Sequence, residues 1–460
     1  MIQSTIQPTR RNVLKSLGPG LAVLSSLGRE ALALGAEEPA ASSMADLQAD
    51  AASLLEYFAR VTPELLRPAE GALMHPSIAP TLPGKQYSTS LWDWDTLWTA
   101  RGLFQVAHAT KNEDFRTQIC RHAQGSLRNF LHYQSPEGRI PIMIGVKESD
   151  LFGSVDGSRA VANQAKPVFG QLALLVADEC GDAQWLAEDF DRLLRFYASW
   201  RVKNFSRTGL YVWSNDVAIG DDNDPTTFGR PDYSSANLLL NCLFYSDLKA
   251  AAELAQRLGR KADGVRLAAE AQALGEAMQT LCWDPRDRFY YTVDVQCVDR
   301  RAEWIPAVPR GMAMQWHVLP LRIQMFTGFL PMWCGLATKA QAEDLVRLHY
   351  ANPETFHGAY GVRSLSALET MYSMAFSSNP SNWLGPVWIL VNYLVWKGLA
   401  AYGYTAEAQE LRTATVRMLA ADLQRRGSLN EYYHPDTGAS LSHTGFLDWN
   451  LLVVEMMTQV

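Results

Sequence analysis

"SANLLLNCLFYSDLKAAAELAQRLG", residues 235–259, is the stretch that decides the fold class. Leu240, Leu243, Phe244 and Leu248 recur at three- and four-residue spacing, which predicts one apolar face of an α-helix, and Gly259 follows as a stop signal. The same kind of pattern recurs to the end of the chain and predicts further helices at 45–60, 92–109, 114–133, 166–181, 184–203, 262–281, 338–349, 364–375, 385–401, 405–426 and 443–457.

Strand patterns are few and short, as in residues 209–213 and 288–294, and no alternation of strands with helices appears. Roughly a dozen helices in about 420 residues predict an all-α chain whose helix pairs curl into a closed ring, an (α/α)6 barrel or six-hairpin toroid, with short strands in its loops. An open helical solenoid is the alternative, and the absence of a repeated motif counts against it.

The composition supports a large globular core. Hydrophobic residues make up 48% of the chain and charged residues 19%, which excludes a disordered protein. The net charge is −7 and no long basic run occurs, so neither nucleic acid nor an anionic membrane is an expected partner. The six cysteines form no CxxC pair and are predicted to be small buried hydrophobes, although Cys282 and Cys297 are a candidate disulfide.

The N-terminal residues predict a targeting segment. "TRRNVLKSLGPGLAVLSSLG", residues 9–28, joins Arg10 and Arg11 to a modest apolar stretch that is too short to span a bilayer, and "ALA" at 31–33 offers a cleavage site. This pattern resembles a twin-arginine export signal. The expected organisation is a signal at 1–33, a linker at 34–44 and one barrel domain at 45–460, periplasmic or otherwise extracytoplasmic and not inserted in the membrane.

"SLWDWDTLW", residues 90–98, places three tryptophans and two aspartates in nine positions. A buried helix does not accommodate two carboxylates so readily, and a solvated face does not expose so much aromatic surface. A sugar site needs both residue types, because a flat ring stacks on a pyranose while a carboxylate binds its hydroxyl groups. A small carbohydrate is therefore the expected partner.

"GDDNDPTTFGRPDYSS", residues 220–235, is an acidic loop that precedes a predicted helix. Crowded carboxylates raise the pKa of one another, and burial raises it further. A carboxylic acid that stays protonated at neutral pH is what a leaving glycosidic oxygen needs. A calcium loop and a plain acidic turn are the alternatives, and the DxDxDG spacing of an EF-hand is absent.

"SLNEYYHPDTG", residues 428–438, supplies a second carboxylate. Tyr432 and Tyr433 follow Glu431, and no Lys or Arg lies within four residues to neutralise it. Glycoside hydrolysis uses two carboxyl groups, one on each side of the sugar ring. An ordinary solvated glutamate in a turn is the alternative.

Seven motifs in order now carry a resemblance to glycoside hydrolase family 63: WDWDT, NQAKP, GDDNDP, FLPxW, GVRSLS, NWLGPVWxxVNY and NEYYxPxTG. Within that family the chain resembles the bacterial mannosylglycerate and glucosylglycerate hydrolases, and it is more distantly similar to the family 37 trehalases. The resemblance covers most of residues 80–455. It implies an (α/α)6 barrel and an inverting, exo-acting α-glycosidase for a small α-glucoside or α-mannoside, without a metal or an organic cofactor.

The resemblance also implies roles for single residues. It makes Asp222 the general acid and Glu431 the general base, with Trp92 stacking on the sugar ring and Asp95 binding its hydroxyl groups. The further residues that it marks as sugar contacts are Gln164, Trp388, Tyr87, Asn223 and Tyr433.

Three departures from the family pattern affect these expectations. The family's Glu-Ser-Gly-Met-Asp becomes Ala218 to Asp222 here, which makes Asp221 and Asp224 rival acids. Leu384 stands where the family has an arginine, and an export signal does not suit an enzyme of cytoplasmic solute turnover. An exported oligosaccharide therefore competes with a glycerate-linked sugar as the expected substrate.

Rival functions remain at this point. A trehalase-like α-glucosidase shares the fold and the carboxyl pair. A sugar epimerase or polysaccharide lyase on a similar barrel would want catalytic His, or Tyr with Arg, and the chain has only nine His. A non-catalytic sugar-binding protein would keep Trp92 and Asp95 and lose a carboxylate, whereas both candidate carboxylates are present.

Overall fold

The computed structural model describes residues 44–155, 162–296, 318–375 and 381–458. The predicted export signal, the linker up to Ser43 and Cys297 lie outside the described residues. From Met44 onward the chain forms one compact unit.

The described residues contain twelve α-helices in chain order. They are α1 Met44–Val61, α2 Asp93–Thr110, α3 Glu113–His132, α4 Phe169–Cys180, α5 Phe190–Lys203, α6 Leu238–Arg257, α7 Lys261–Leu281, α8 Leu330–Trp333, α9 Lys339–Asp344, α10 Ile389–Ala401, α11 Thr405–Arg426 and α12 Val453–Thr458. Helix α9 continues as a π-helical turn, Leu345–Tyr350, and the 3-10 turn Asp448–Leu452 leads directly into α12.

The even-numbered helices form a closed inner ring. Helix α2 packs against α4, α4 against α6, α6 against α8, α8 against α10, α10 against α12, and α12 returns to α2. Helices α1, α3, α7 and α11 pack on the outside of this ring. Inner helix α10, "ILVNYLVWKGLAA", is apolar almost all round, whereas outer helix α3 has one buried and one solvated face. The predicted (α/α)6 barrel is confirmed.

Short antiparallel strands brace the loops between the helices. They are β1 Leu66–Arg67 with β2 Ser77–Ile78, β3 Ser90–Trp92 with β4 Met143–Gly145, β5 Ser235–Ala236 with β8 Val293–Asp294 and β9 Leu319–Pro320, β6 Trp283–Asp284 with β7 Phe289–Tyr290, and β10 His357–Gly358 with β11 Gly361–Val362. The register of β3 and β4 pairs Trp92 with Met143, which ties the start of α2 to the neighbouring loop.

The predicted helix at 364–375 is wrong. Leu365 instead forms a bridge with Met325, and the backbone of Ser364 and Ser366 bonds to the segment around Gln324. The Ser364 hydroxyl also accepts from the Gly385 backbone N–H. These long-range bonds occupy the backbone groups that a helix would need, and the sequence window shows none of them.

Two of the cysteines contradict the prediction of small buried hydrophobes. Cys120 of α3 and Cys180 of α4 form a disulfide, with a Cα–Cα distance of 6.1 Å. Their sequence separation of 60 residues carries no spacing signal, and only the packing of α3 beside α4 brings them together. Cys242, Cys282 and Cys334 are buried free thiols, as predicted.

Candidate active site

The candidate site lies at the start of inner helix α2 and in the loops that precede inner helices α6 and α12. Tyr87 and Asp95 flank the start of α2, Asp222 lies in the loop before α6, and Glu431 lies in the loop before α12. All three carboxyl groups lie close enough to the Tyr87 hydroxyl to act on it electrostatically, and together with burial they raise its pKa. The barrel therefore gathers three acids and one phenol from distant parts of the chain.

Glu431 is held firmly within the site. The residue is 4% exposed, and its Oε2 accepts a hydrogen bond of 2.9 Å from the Ser442 hydroxyl. Its backbone carbonyl accepts from the Trp449 indole, and its N–H donates to the His443 carbonyl, so both sides of the residue are fixed. Burial raises the pKa of Glu431 to about 8, with the charges of Asp95 and Asp222 adding to the effect and Ser442 opposing it.

Trp92 and Tyr87 form the aromatic edge of the site. Both are half-buried, and their rings meet edge to face at 5.5 Å. The Trp92 ring also meets Phe152 at 5.9 Å, and its indole N–H donates to Ser90. Trp92 thus keeps exposed aromatic surface beside the acids, which is the arrangement that a stacked sugar ring needs.

Asp95 lies in the first turn of α2 and is 8% exposed. Burial raises its pKa to about 6, while a hydrogen bond from Asp448 works in the opposite direction. Its position at a helix N-terminus favours the ionised form. Asp95 is therefore suited to accept hydrogen bonds from sugar hydroxyl groups.

Within the acidic loop before α6, Asp222 is half-buried, whereas Asp221 and Asp224 have no exposed surface. Asp224 accepts hydrogen bonds from the backbone and hydroxyl of Thr226 and from the Asn237 amide. Burial, followed by the charge of Asp224, raises the pKa of Asp221 well above its usual range. Asp221 and Asp224 are thus packed inside the loop, and of the three aspartates only Asp222 keeps exposed surface.

A buried ion pair holds this loop against the start of α2. Lys166 Nζ lies 3.1 Å from the Asp93 carboxylate, and both side chains are almost completely buried. The same ammonium donates to the Ala218 carbonyl at 3.3 Å. Ala218 has a φ of +55° and Gly220 a φ of +103°, so the loop follows a path that side chains disfavour. The sequence reasoning missed this pair.

Two of the predicted sugar contacts have no exposed surface. Trp388 stacks on Trp383 with a centroid distance of 3.9 Å, and its indole N–H donates to the Asn382 carbonyl. Tyr433 directs its hydroxyl to Asp422 of α11 at 3.1 Å, away from the acids. Neither ring has surface exposed to a sugar in this structure, and both pack inside the protein.

Asn223 and Gln164 are also buried, at 5% and 1% exposure. The Asn223 carbonyl oxygen accepts from the Trp383 backbone N–H at 2.7 Å, so its amide ties two loops together. Gln164 Oε1 accepts from Ser199, while its Nε2 has no protein partner among the described residues. The structure thus gives Asn223 a bracing role, and it leaves the buried Gln164 Nε2 as an unpaired donor among the described residues.

Asp448 was missed altogether by the sequence reasoning. It is fully buried in the 3-10 turn before α12 and hydrogen-bonds to Asp95. The only local signal was one aspartate in the apolar run "GFLDWNLL", residues 445–452, where an unpaired charge is costly.

Within the described ranges, no group of three or more His, Cys, Asp or Glu side chains is arranged to hold a metal ion. None of the helices in those ranges is both long enough and apolar enough to cross a membrane.

Comparison with known proteins now places the chain. Residues 88–447 match the model of the mannosylglycerate hydrolase MGH1-like glycoside hydrolase domain. The chain belongs to this glycoside hydrolase family. The match includes the loops of Asp222 and Glu431 and the start of α2, so the whole candidate site lies within it, apart from Tyr87 at its edge and the Asp448 turn just beyond.

Among curated proteins, the chain is 26% identical over 306 residues to a probable mannosyl-oligosaccharide glucosidase of Schizosaccharomyces pombe, which covers 60% of this chain and 35% of that protein. It is 28% identical over 153 residues to a mannosylglycerate hydrolase of Thermus thermophilus, covering 32% and 34% of the two chains. These matches thus span about a third of the relatives' own lengths.

Solved structures show the same architecture. The family 63 mannosylglycerate hydrolase of Thermus thermophilus in complex with glucose aligns with a TM-score of 0.62 at 19% identity, over 90% of this chain and all of the other. The neutral trehalase of Saccharomyces cerevisiae aligns with a TM-score of 0.57 at 16% identity, over 84% and 74% of the two chains. At these identities the likeness establishes the barrel fold.

Proposed function

We propose that the protein is an inverting, exo-acting α-glycosidase that hydrolyses a small α-glucoside or α-mannoside. The observation that carries this proposal is the convergence of Asp95, Asp222 and Glu431 beside the half-exposed rings of Tyr87 and Trp92. A retained pair of acids beside an aromatic stacking surface is more than a sugar-binding protein requires.

Asp222 is the general acid and Glu431 the general base in this proposal. Asp222 gives its proton to the departing glycosidic oxygen, while Glu431 takes a proton from a water that attacks C1 from the opposite face. One bond forms between that water and C1 as the glycosidic bond breaks, and the sugar leaves with inverted configuration. Trp92 stacks on the ring, and Asp95 accepts hydrogen bonds from its hydroxyl groups.

The electrostatics of the site without substrate agree with an acid role for Asp222 and a base role for Glu431. Asp95, Asp222 and Glu431 cannot all be ionised cheaply, because each carboxylate disfavours the charge of the others. Near neutral pH the cluster therefore holds a proton, consistent with the raised pKa of Glu431. A bound substrate places its glycosidic oxygen against Asp222 and so favours the proton on Asp222. Glu431 is then ionised and able to act as a base.

The substrate is proposed from the relatives and from the charge of the site. The relatives are named for mannosylglycerate and for a mannosyl-oligosaccharide, and one solved structure holds glucose. Lys166, whose ammonium reaches the acid loop at the Ala218 carbonyl, is already paired with Asp93. Neutral glucosyl and mannosyl oligosaccharides are therefore placed ahead of glycerate-linked sugars, and trehalose is retained as a further candidate.

Proton NMR of the reaction tests the proposal. The purified chain is incubated with glucosylglycerate, mannosylglycerate, trehalose and short α-linked gluco- and manno-oligosaccharides. We expect one of them to be cleaved with the β-sugar appearing first. If the α-sugar appears first, the mechanism is retaining and the roles of Asp222 and Glu431 are wrong.

We further propose that the protein works outside the cytoplasm. The paired Arg10 and Arg11 support export, and the disulfide between Cys120 and Cys180 suits an oxidising compartment. Fractionation of cells that express the full chain tests this, with Arg10→Lys and Arg11→Lys together as the matched variant. Periplasmic recovery that is equal for both chains would refute a twin-arginine route.

A further inference from the structure

Asp448 forms a second layer behind the sugar-binding carboxylate. Asp95 keeps a small exposed surface, whereas Asp448 has none. One oxygen of Asp448, Oδ1, accepts a hydrogen bond of 2.9 Å from the Thr99 hydroxyl of α2. Its other oxygen, Oδ2, is buried and receives no bond from any N–H or hydroxyl group among the described residues. The partner left for Asp448 is the Asp95 carboxyl group, with which it is hydrogen-bonded.

Two carboxylates cannot form a hydrogen bond without a proton, because both are acceptors only. The proton must sit on one of the two groups, and the surroundings decide which. Asp95 lies at the N-terminus of α2 and keeps a small exposed surface, so it keeps the charge. Among the described residues Asp448 has no salt-bridge partner, and it is the more deeply buried of the two, so it keeps the proton.

We propose that Asp448 is a positioning residue that, as a neutral carboxylic acid, donates a hydrogen bond to Asp95 and thereby orients the Asp95 carboxylate toward the sugar. The inference rests on the proposed role of Asp95 as a sugar ligand. Asp448 itself does not touch the substrate. One oxygen of Asp95 accepts the hydrogen bond from Asp448, and the remaining lone pairs of Asp95 face the sugar in a fixed direction.

The charges around the pair agree with this assignment. Burial, followed by the charge of Asp95, raises the pKa of Asp448 well above its usual range, and Glu431 adds to the effect. On the α12 side Glu455 is turned away, since it binds Lys397 at 2.7 Å. The Asp95–Asp448 pair therefore carries a single negative charge at neutral pH.

Infrared spectroscopy of the full chain, labelled with ¹³C at the aspartate carboxyl groups, tests the proton directly. Protonated aspartates give a carboxylic C=O stretch that ionised ones lack, and the isotope separates them from Glu431. We expect two protonated aspartates at pH 7, Asp448 and Asp221. Asp448→Asn should remove one of them and Asp221→Asn, the matched control, the other. A single protonated aspartate in the unsubstituted chain that is lost in Asp221→Asn would overturn the proposal without any Asp448 variant.

Sugar binding tests the positioning role. Asp448→Asn keeps an N–H donor toward Asp95, whereas Asp448→Ala leaves Asp95 without one. By calorimetry with glucose and with mannose, Asp448→Ala should bind about tenfold or more weakly than Asp448→Asn. Equal affinities in the two folded variants, checked by melting, would overturn the positioning role. If the spectra behave as expected but the unsubstituted chain binds neither sugar, the proton pair stands and the proposed function fails.

Discussion

Removing the Ser442 hydroxyl should shift the pH dependence of catalysis toward higher pH. In the proposed mechanism Glu431 must be ionised to accept a proton from water, so activity is lost as the pH falls through the pKa of Glu431. Burial places that pKa at about 8, and the bond from Ser442 Oγ to Glu431 Oε2 at 2.9 Å lowers it by favouring the charged form. Ser442→Ala removes this stabilisation, so the acid limb of kcat/KM should move up.

The size of the shift follows from one hydrogen bond to a charged group. Such a bond contributes about 1.5–3 kcal/mol when buried, and one pKa unit corresponds to about 1.4 kcal/mol. Ser442 is half-buried, so water replaces part of the lost interaction. We therefore expect the acid limb to move up by roughly one pH unit.

The assay is kcat/KM from pH 5 to 10 on whichever substrate the NMR panel identifies. Ser442→Thr, which keeps a hydroxyl group, is the matched control and should retain the original limb. A limb that stays in place in Ser442→Ala, or moves toward acid, would show that Glu431 is not the group that titrates. The proposed assignment of the base would then be wrong.

The remaining predictions concern the acid, the loop, the base and the disulfide. Asp222→Asn should lose at least about a thousandfold in kcat, whereas Asp221→Asn should keep most of the rate, and equal losses would reopen the choice of acid. Gly220→Ala adds a methyl group at φ +103° within 3.0 Å of packed side chains, so we expect about 1–3 kcal/mol of lost stability and a lower kcat, measured by melting and kinetics. The raised pKa of Glu431 means that the folded state holds more protons than the unfolded chain between pH 4.5 and about 8, so stability falls as pH rises through this window, and Glu431→Gln should reduce that fall in melting curves. Cys120→Ser should cost about 2–4 kcal/mol and make the melting temperature insensitive to reductant, while a temperature that still drops with reductant would contradict the disulfide.

The fold was accessible from the sequence because its helices carry their own signals. Helix α6 was predicted at 235–258 and is found at Leu238–Arg257, and Gly427 ends α11 with a left-handed φ of +69°. The one false helix, at 364–375, is a segment whose backbone is bonded to a distant strand-like piece. Local periodicity cannot report such bonds, since their partners lie far away in sequence.

The sequence predicts the candidate site only in part, and the reason for this limit is physical. The resemblance carried over which residue types stand before the inner helices, and Asp95, Asp222, Glu431, Trp92 and Tyr87 do lie together. The position of a motif does not report how exposed its side chains are, however. The resemblance therefore marked the buried rings of Trp388 and Tyr433 as sugar contacts. Asp448 and Thr99 are 349 residues apart, and no motif links positions at that distance.

The pairing of carboxyl groups explains how the barrel accommodates several buried acidic side chains in one site. Burial raises the pKa of Asp221 beside Asp224 and that of Asp448 beside Asp95, and one shared proton in each pair would reduce two potential charges to one. This pairing keeps the net charge near Glu431 low enough for it to ionise at a pH where the protein is stable. If each buried partner were ionised instead, the added repulsion would raise the pKa of Glu431 still further above about 8. The neutral partners are therefore part of what makes the catalytic pair usable, which is why their protonation is worth measuring before the chemistry itself.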